Sequence, residues 1–126
     1  MEKKIIVTQK APEPIGPYSQ AIQSGNMLFV SGQIPLDPAT NQIITGGIGE
    51  ETDQVMQNIG AILKAAGTDF TKVLKCSIFV NNMADFGAIN EIYGQYFQSD
   101  PPARETVEVS GLPKGVNVEI SCIALL

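Results

Sequence analysis

The sequence predicts an α+β fold in which two helices pack on one face of a single sheet. Three patterns carry that expectation. Strand-like runs stand at 5–8, 18–24 and 27–31 near one end of the chain, and at 104–109 and 116–122 near the other. Two stripes of apolar residues at helical spacing lie between them, around 50–66 and 82–97. A further strand-like run, Val73 to Val80, separates the two helices, giving the order β-β-β-α-β-α-β-β.

The elements follow in turn. Ile5 to Thr8 forms a short first strand, and the loop Ala11-Pro12-Glu13-Pro14-Ile15-Gly16-Pro17 stops both helix and ladder. Tyr18 to Ser24 and Met27 to Ser31 flank Gly25-Asn26, a two-residue hairpin connection. Gly32 to Gly49 reads as a long surface connection, since Pro35, Asp37 and Pro38 break any regular pattern. In the first helix Val55, Met56, Ile59, Ile62, Leu63 and Ala66 share one stripe; Glu50, Glu51 and Asp53 suit its positive end and Gly67 its C-cap. Asn82 caps the second, which presents Phe86, Ile89, Tyr93, Tyr96 and Phe97 on one side before Pro101-Pro102 ends it.

The runs 104–109 and 116–122 alternate in the same sense around a turn, so they are expected to form an antiparallel hairpin. With Val109 facing Val116, Thr106 lies opposite Glu119 and Arg104 is the diagonal neighbour of Glu119. One face would carry the charges, the other Val107, Val109, Val116, Val118 and Ile120. With both helices on one side of the sheet, the other side lacks a cover. A closed homo-oligomer would supply one.

Residues 1–126 fit one domain. At 44% hydrophobic and 17% charged the composition excludes a disordered chain, and the sparse charge implies surface buried by partners. A net charge of −5 with no basic cluster beyond Lys3-Lys4 leaves no face to neutralise phosphates, so nucleic acid is not the expected ligand. Only Ile5-Ile6-Val7 follows those lysines, too short for a signal-peptide core or a membrane span, which predicts a cytoplasmic protein.

Chemistry must come from few residues. Histidine is absent and Cys76 and Cys122 lie in strands, so a zinc site and a Cys-His pair are both excluded, and the cysteines read as buried hydrophobes. Thr45-Gly46-Gly47-Ile48-Gly49 precedes a helix but lacks the Lys-Ser/Thr of a phosphate loop, and Glu50 and Glu51 repel anions, so it reads as a flexible turn. Ser31 has no base to activate it. Arg104 can hold a carboxylate through two parallel hydrogen bonds, and Glu119 can take and return a proton. An ion pair between the two that merely stabilises the strands is the competing reading.

Separated motifs, running nearly end to end, resemble the Rid/YjgF family of reactive-intermediate deaminases. They are Ile15-Gly16-Pro17-Tyr18-Ser19-Gln20-Ala21, Ser31-Gly32-Gln33-Ile34-Pro35, Pro102-Ala103-Arg104, and Val107-Glu108-Val109 with Leu112-Pro113-Lys114 and Val118-Glu119-Ile120. The resemblance implies a chorismate-mutase-like α+β fold, assembled as a homotrimer with three equivalent clefts between subunits. It also implies cofactor-free and metal-free hydrolysis of 2-imino acids, such as 2-iminobutanoate and 2-iminopropanoate, to 2-oxo acids and ammonia, a form of metabolite damage control.

By position, Arg104 looks like the carboxylate grip and Glu119 the group that holds or activates water. Tyr18 would wall the pocket, Ser31 and Gly32 would contact the imine, and Asn90 would approach from the second helix. Thr106 stands where many relatives have cysteine. A non-catalytic trimer that binds a metabolite or partner in the same cleft is an alternative. So is a ribonuclease or translation inhibitor, which the acidic balance opposes.

Overall fold

Local patterning places the elements close to their expected positions, whereas the pairing of the last two strands differs. The structure, a computed structural model, describes residues 2–126. Its strands are β1 (Lys3–Ile6), β2 (Ala21–Ser24), β3 (Met27–Gln33), β4 (Leu36–Asp37), β5 (Gln42–Ile43), β6 (Val73–Val80), β7 (Ala103–Glu108) and β8 (Val118–Leu125). The helices are α1 (Ile48–Ala65) and α2 (Phe86–Gly94). Six strands form one sheet in the order β1-β2-β3-β8-β6-β7, and β4 and β5 form a small ladder inside the long connection after β3.

β7 and β8 do not form the expected hairpin. β7 lies parallel to β6 at the sheet edge, with Cys76 beside Arg104 and Ile78 beside Thr106. β8 instead inserts antiparallel between β3 and β6, with Val30 beside Cys122 and Ile78 beside Ile120. Alternation specifies which residues share a face but not which strand is the neighbour. A helix between β6 and β7 makes a parallel crossover available, and it is the one taken.

Both helices lie on one face. Their buried residues Val55, Met56, Ile59, Ile62, Leu63, Ile89 and Tyr93 join one core with Leu28, Val30, Cys76, Ile78, Val80, Val118, Ile120, Cys122 and Ala124 of the sheet. Burying each large aliphatic side chain contributes about 1.5–3 kcal/mol. The end of α1 follows the sequence: Gly67 has φ +86, its N–H bonds Lys64, and the Thr68 N–H bonds Leu63 in a Schellman closure.

The end of α2 differs from expectation. The helix stops at Gly94, and Tyr96 and Phe97 fold away to pack on Phe70 at ring separations of 5.1 and 5.5 Å. Asn82 does cap the helical segment, accepting from the Ala84 N–H in a short 3₁₀ turn that leads into α2.

Among the described residues, no element covers the opposite face of the sheet. Ile5, Ile22, Phe29 and Ile123 lie side by side across β1, β2, β3 and β8 on that face. Ile5 is 55% and Phe29 45% exposed. No helix among the described residues is long and apolar enough to cross a membrane.

Candidate functional site

The chain holds two groups of site residues, on opposite faces of the sheet. Because Arg104 pairs with Cys76, it points to the face that the helices cover, at the β7 edge. There α2 meets it with Phe86, Asn90 and Tyr93, spaced i, i+4, i+7 and therefore on one side of the helix. The guanidinium carbon lies 5.5 Å from the Phe86 ring centre and 5.0 Å from that of Tyr93. Its Nη1 donates to Asn90 Oδ1 at 2.7 Å. Cation–π contacts of this kind contribute about 0.5–2 kcal/mol each, and they orient the planar fork. The other guanidinium donors are left for a guest, since the bond to Asn90 is the only one made among the described residues.

Thr106 shares this face two residues on, and its buried Oγ1 has no hydrogen-bond partner. The hydroxyl of Tyr93 is likewise buried and unpartnered, beside the Cys76 thiol. Burial, then the neighbouring thiol, pushes the Tyr93 hydroxyl well above the ordinary phenol range, so it stays protonated. Burial also raises the thiols of Cys76 and its cross-strand neighbour Cys122, which fits the expectation of inert, buried cysteines.

Glu119 stands on the other face, beside Phe79 and in line with Val107. The expected face shared by Arg104, Thr106 and Glu119 is therefore absent within one chain. The stabilising Arg104–Glu119 ion pair fails with it, and Glu119 forms no salt bridge among the described residues. Burial alone moves its carboxyl above the usual range.

A bulge in β3 prepares the ground beneath this carboxylate. Ser31 and Gly32 together fill the space opposite one residue of β8, between the pairs Val30–Cys122 and Gln33–Ile120. A Cβ on Gly32 would lie 2.8 Å from Glu119 Cδ, so any larger residue there displaces the carboxylate. The Ser31 hydroxyl donates to the Ser19 carbonyl at 2.5 Å, tying down the loop that carries Tyr18.

Ile15, Tyr18, Ser31, Gly32, Ile34, Pro113 and Glu119 line an open depression of about 350 Å³. Tyr18, Ser31, Gly32 and Glu119 thus come together in one place, and Asn90, Arg104 and Thr106 in another.

Sequence reasoning missed the supports. Phe86 and Tyr93, expected on one side of the second helix, carry no site role in the sequence reading, although their spacing puts Asn90 on that same side. Asn58, a polar residue amid the apolar stripe of α1, holds the carbonyls of Ile34 at 3.1 Å and Leu36 at 2.9 Å, fixing one wall of the depression. Buried Gln20 pins the N-terminal loop through Thr8, Ala11 and Pro12.

The family described as Endoribonuclease L-PSP matches residues 8–126. The chain belongs to this family, the Rid/YjgF proteins. Among Rid/YjgF relatives, Protein DfrA of Myxococcus xanthus is 50% identical, with 99% of this chain and 97% of that protein aligned. The 2-iminobutanoate/2-iminopropanoate deaminase of Mus musculus is 50% identical over 98% of this chain and 91% of its own length. The crystal structure of E. coli TdcF with bound serine superposes with a TM-score of 0.93 at 41% identity, covering 98% of both chains.

Proposed function

We propose that the protein hydrolyses 2-imino acids to 2-oxo acids and ammonia, in clefts formed where Arg104 of one copy meets Glu119 of another. The observation that carries the reading is the division of the site. An arginine locked with its fork free and a glutamate left without a partner lie on opposite faces of one sheet. Each supplies what the other lacks, so a second copy completes the site. The uncovered row Ile5–Ile22–Phe29–Ile123 offers the surface on which copies would meet. Because the two groups are different patches, their contact is heterologous, the kind from which a closed ring such as the homotrimer implied by the family resemblance is built.

In the proposed reaction, the Arg104 fork binds the substrate carboxylate and sets the imine carbon above Glu119. Glu119 takes a proton from water as the oxygen bonds to that carbon. It returns that proton to nitrogen to give the carbinolamine, then relays the carbinolamine's hydroxyl proton to the same nitrogen, so that the C–N bond breaks, ammonia leaves and the carbonyl forms. Burial makes Glu119 a stronger base than an exposed carboxylate, which suits a group that must both accept and return a proton. Asn90, Phe86 and Tyr93 keep the fork in position, Tyr18 walls the cleft, and Thr106 sits beside the carboxylate end.

The name of the mouse relative and the serine bound to TdcF both favour a small carboxylate-bearing guest. A metabolite-binding protein without turnover would use the same grip, and only an assay of turnover separates the two. The decisive experiment generates 2-iminopropanoate or 2-iminobutanoate in situ, traps what survives with semicarbazide, and compares wild type with Arg104→Ala. Faster loss with wild type alone is expected. No acceleration by a folded, oligomeric protein would leave the binding reading in its place.

A further inference from the structure

Lys114 stands beside the Glu119 half of the site and has no part in the steps above. Its backbone lies at φ +57, in the left-handed region that a residue with a Cβ enters at a cost, and Gly115 follows at φ +68. The turn is fixed, because the Gly115 N–H donates to the Leu112 carbonyl at 3.1 Å and the Val116 N–H to that of Pro113 at 3.3 Å. Neither packing nor pairing offsets the cost. Lys114 is exposed and forms no salt bridge among the described residues. A lysine kept where glycine would relax the backbone points to a role for its side chain.

Its surroundings suggest which role. Pro113, the residue before it, lines the depression around Glu119. Lys114 itself lines a narrow cleft of about 30 Å³ that shares Ile15, Tyr18, Gly32 and Ile34 with the depression, so one layer of residues separates the two. Glu13 lines the same cleft, beyond salt-bridge distance of the lysine. Two carboxylates and one ammonium thus flank that wall, in a chain of net charge −5. An anion approaching Glu119 is repelled there unless a cation offsets the carboxylates. We propose that Lys114 is a specificity-determining cation at the mouth of the Glu119 half, which offsets Glu13 and Glu119, draws in small carboxylate-bearing guests and disfavours neutral imines. It acts at a distance and touches no reacting atom. The proposal deepens the deaminase reading and rests on it for turnover, while the attraction applies to any small carboxylate.

The test measures kcat/KM for 2-iminopropanoate and, by calorimetry, Kd for 2-oxobutanoate, each from low salt to about 1 M NaCl. Lys64→Gln serves as the control for net charge, since Lys64 is exposed in the last turn of α1 and outside both halves of the site. At low salt Lys114→Gln is expected to lower kcat/KM and weaken binding about twofold to threefold with kcat unchanged, the effect of one charge roughly 8 Å away in water. The loss should vanish near 1 M salt, where the Debye length is about 3 Å. Lys114→Arg should restore wild-type values, Glu13→Gln should shift both in the opposite direction, and Lys64→Gln should move neither. Lys114→Gly is expected to combine the same loss with a higher Tm, because glycine relaxes the turn. Equal salt profiles in wild type and Lys114→Gln, or an equal loss in Lys64→Gln, would overturn the proposal. Salt-dependent binding of 2-oxobutanoate without turnover would remove the deaminase reading and keep the role of the lysine. Absence of both binding and turnover in wild type would remove both.

Discussion

The two halves of the site are built on opposite plans. Around Arg104 every contact is made in advance: two rings and an amide from one side of α2 hold the guanidinium. Around Glu119 the backbone is prepared by a bulge and a glycine, yet the carboxylate has no partner and the apolar rim is bare. The difference separates orientation from reactivity. In the proposed reaction the arginine, which must present two parallel donors, benefits from being immobilised, whereas the glutamate, which must exchange protons, benefits from partial burial with no counter-charge in its own chain.

The strongest way to break this comparison is to put the halves on different chains. Glu119→Gln alone is expected to lower kcat by about 10²–10⁴-fold, and Arg104→Ala alone to abolish turnover. Co-expressed, the two inactive variants should recover roughly a quarter of wild-type activity, because random assembly in a ring pairs an intact arginine with an intact glutamate in that share of clefts. No recovery in isolated mixed oligomers would show that a single copy supplies both groups.

A smaller effect sharpens the orienting half. Asn90→Ala removes the one hydrogen bond holding the fork, and KM is expected to rise about tenfold with kcat changed less, the magnitude of one charge-assisted bond. Gly32→Ala tests the reactive half in the opposite sense. The added methyl group pushes the Glu119 carboxylate aside, so kcat should fall about tenfold while KM holds, read by steady-state kinetics.

The smallest effect is on stability. Glu119 has its carboxyl raised by burial, so over the interval from the ordinary carboxylate range up to the raised value the folded chain binds more protons than the unfolded one. Stability therefore falls as pH rises through that interval, and the half-buried charge is destabilising at neutral pH. Glu119→Gln should raise Tm at pH 7 and lose the gain once the pH is below the ordinary carboxylate range, as followed by thermal melts. An equal gain at both pH values would mean that the charge is not its source.

Much of the fold was legible because it is written in local periodicity. Val73 to Val80 matches β6 end to end, the α1 stripe from Val55 to Leu63 is buried as its spacing demands, and Gly67 closes that helix. The bare sheet face could be inferred from two helices serving one sheet. Strand partnership was not legible, because alternation along 104–109 and 116–122 is satisfied equally by a hairpin and by strands separated by β6. That ambiguity put Arg104 and Glu119 on one face. Nor could the bulge at Ser31-Gly32 be read, since an inserted residue shows only against the strand it pairs with.

The place of β8 also shapes how the chain reaches its native state. The last strand in chain order occupies the middle of the sheet, with β3 on one flank and β6 on the other. Until it docks, β1–β3 and β6–β7 are separate ladders whose inner edges are unpaired. Their union waits on partners as distant along the chain as Val30 and Cys122, contacts of the kind that slow folding. A nascent chain interrupted before Val118 would present two bare edges of apolar strands, β3 and β6, and so a template for aggregation that the finished sheet conceals.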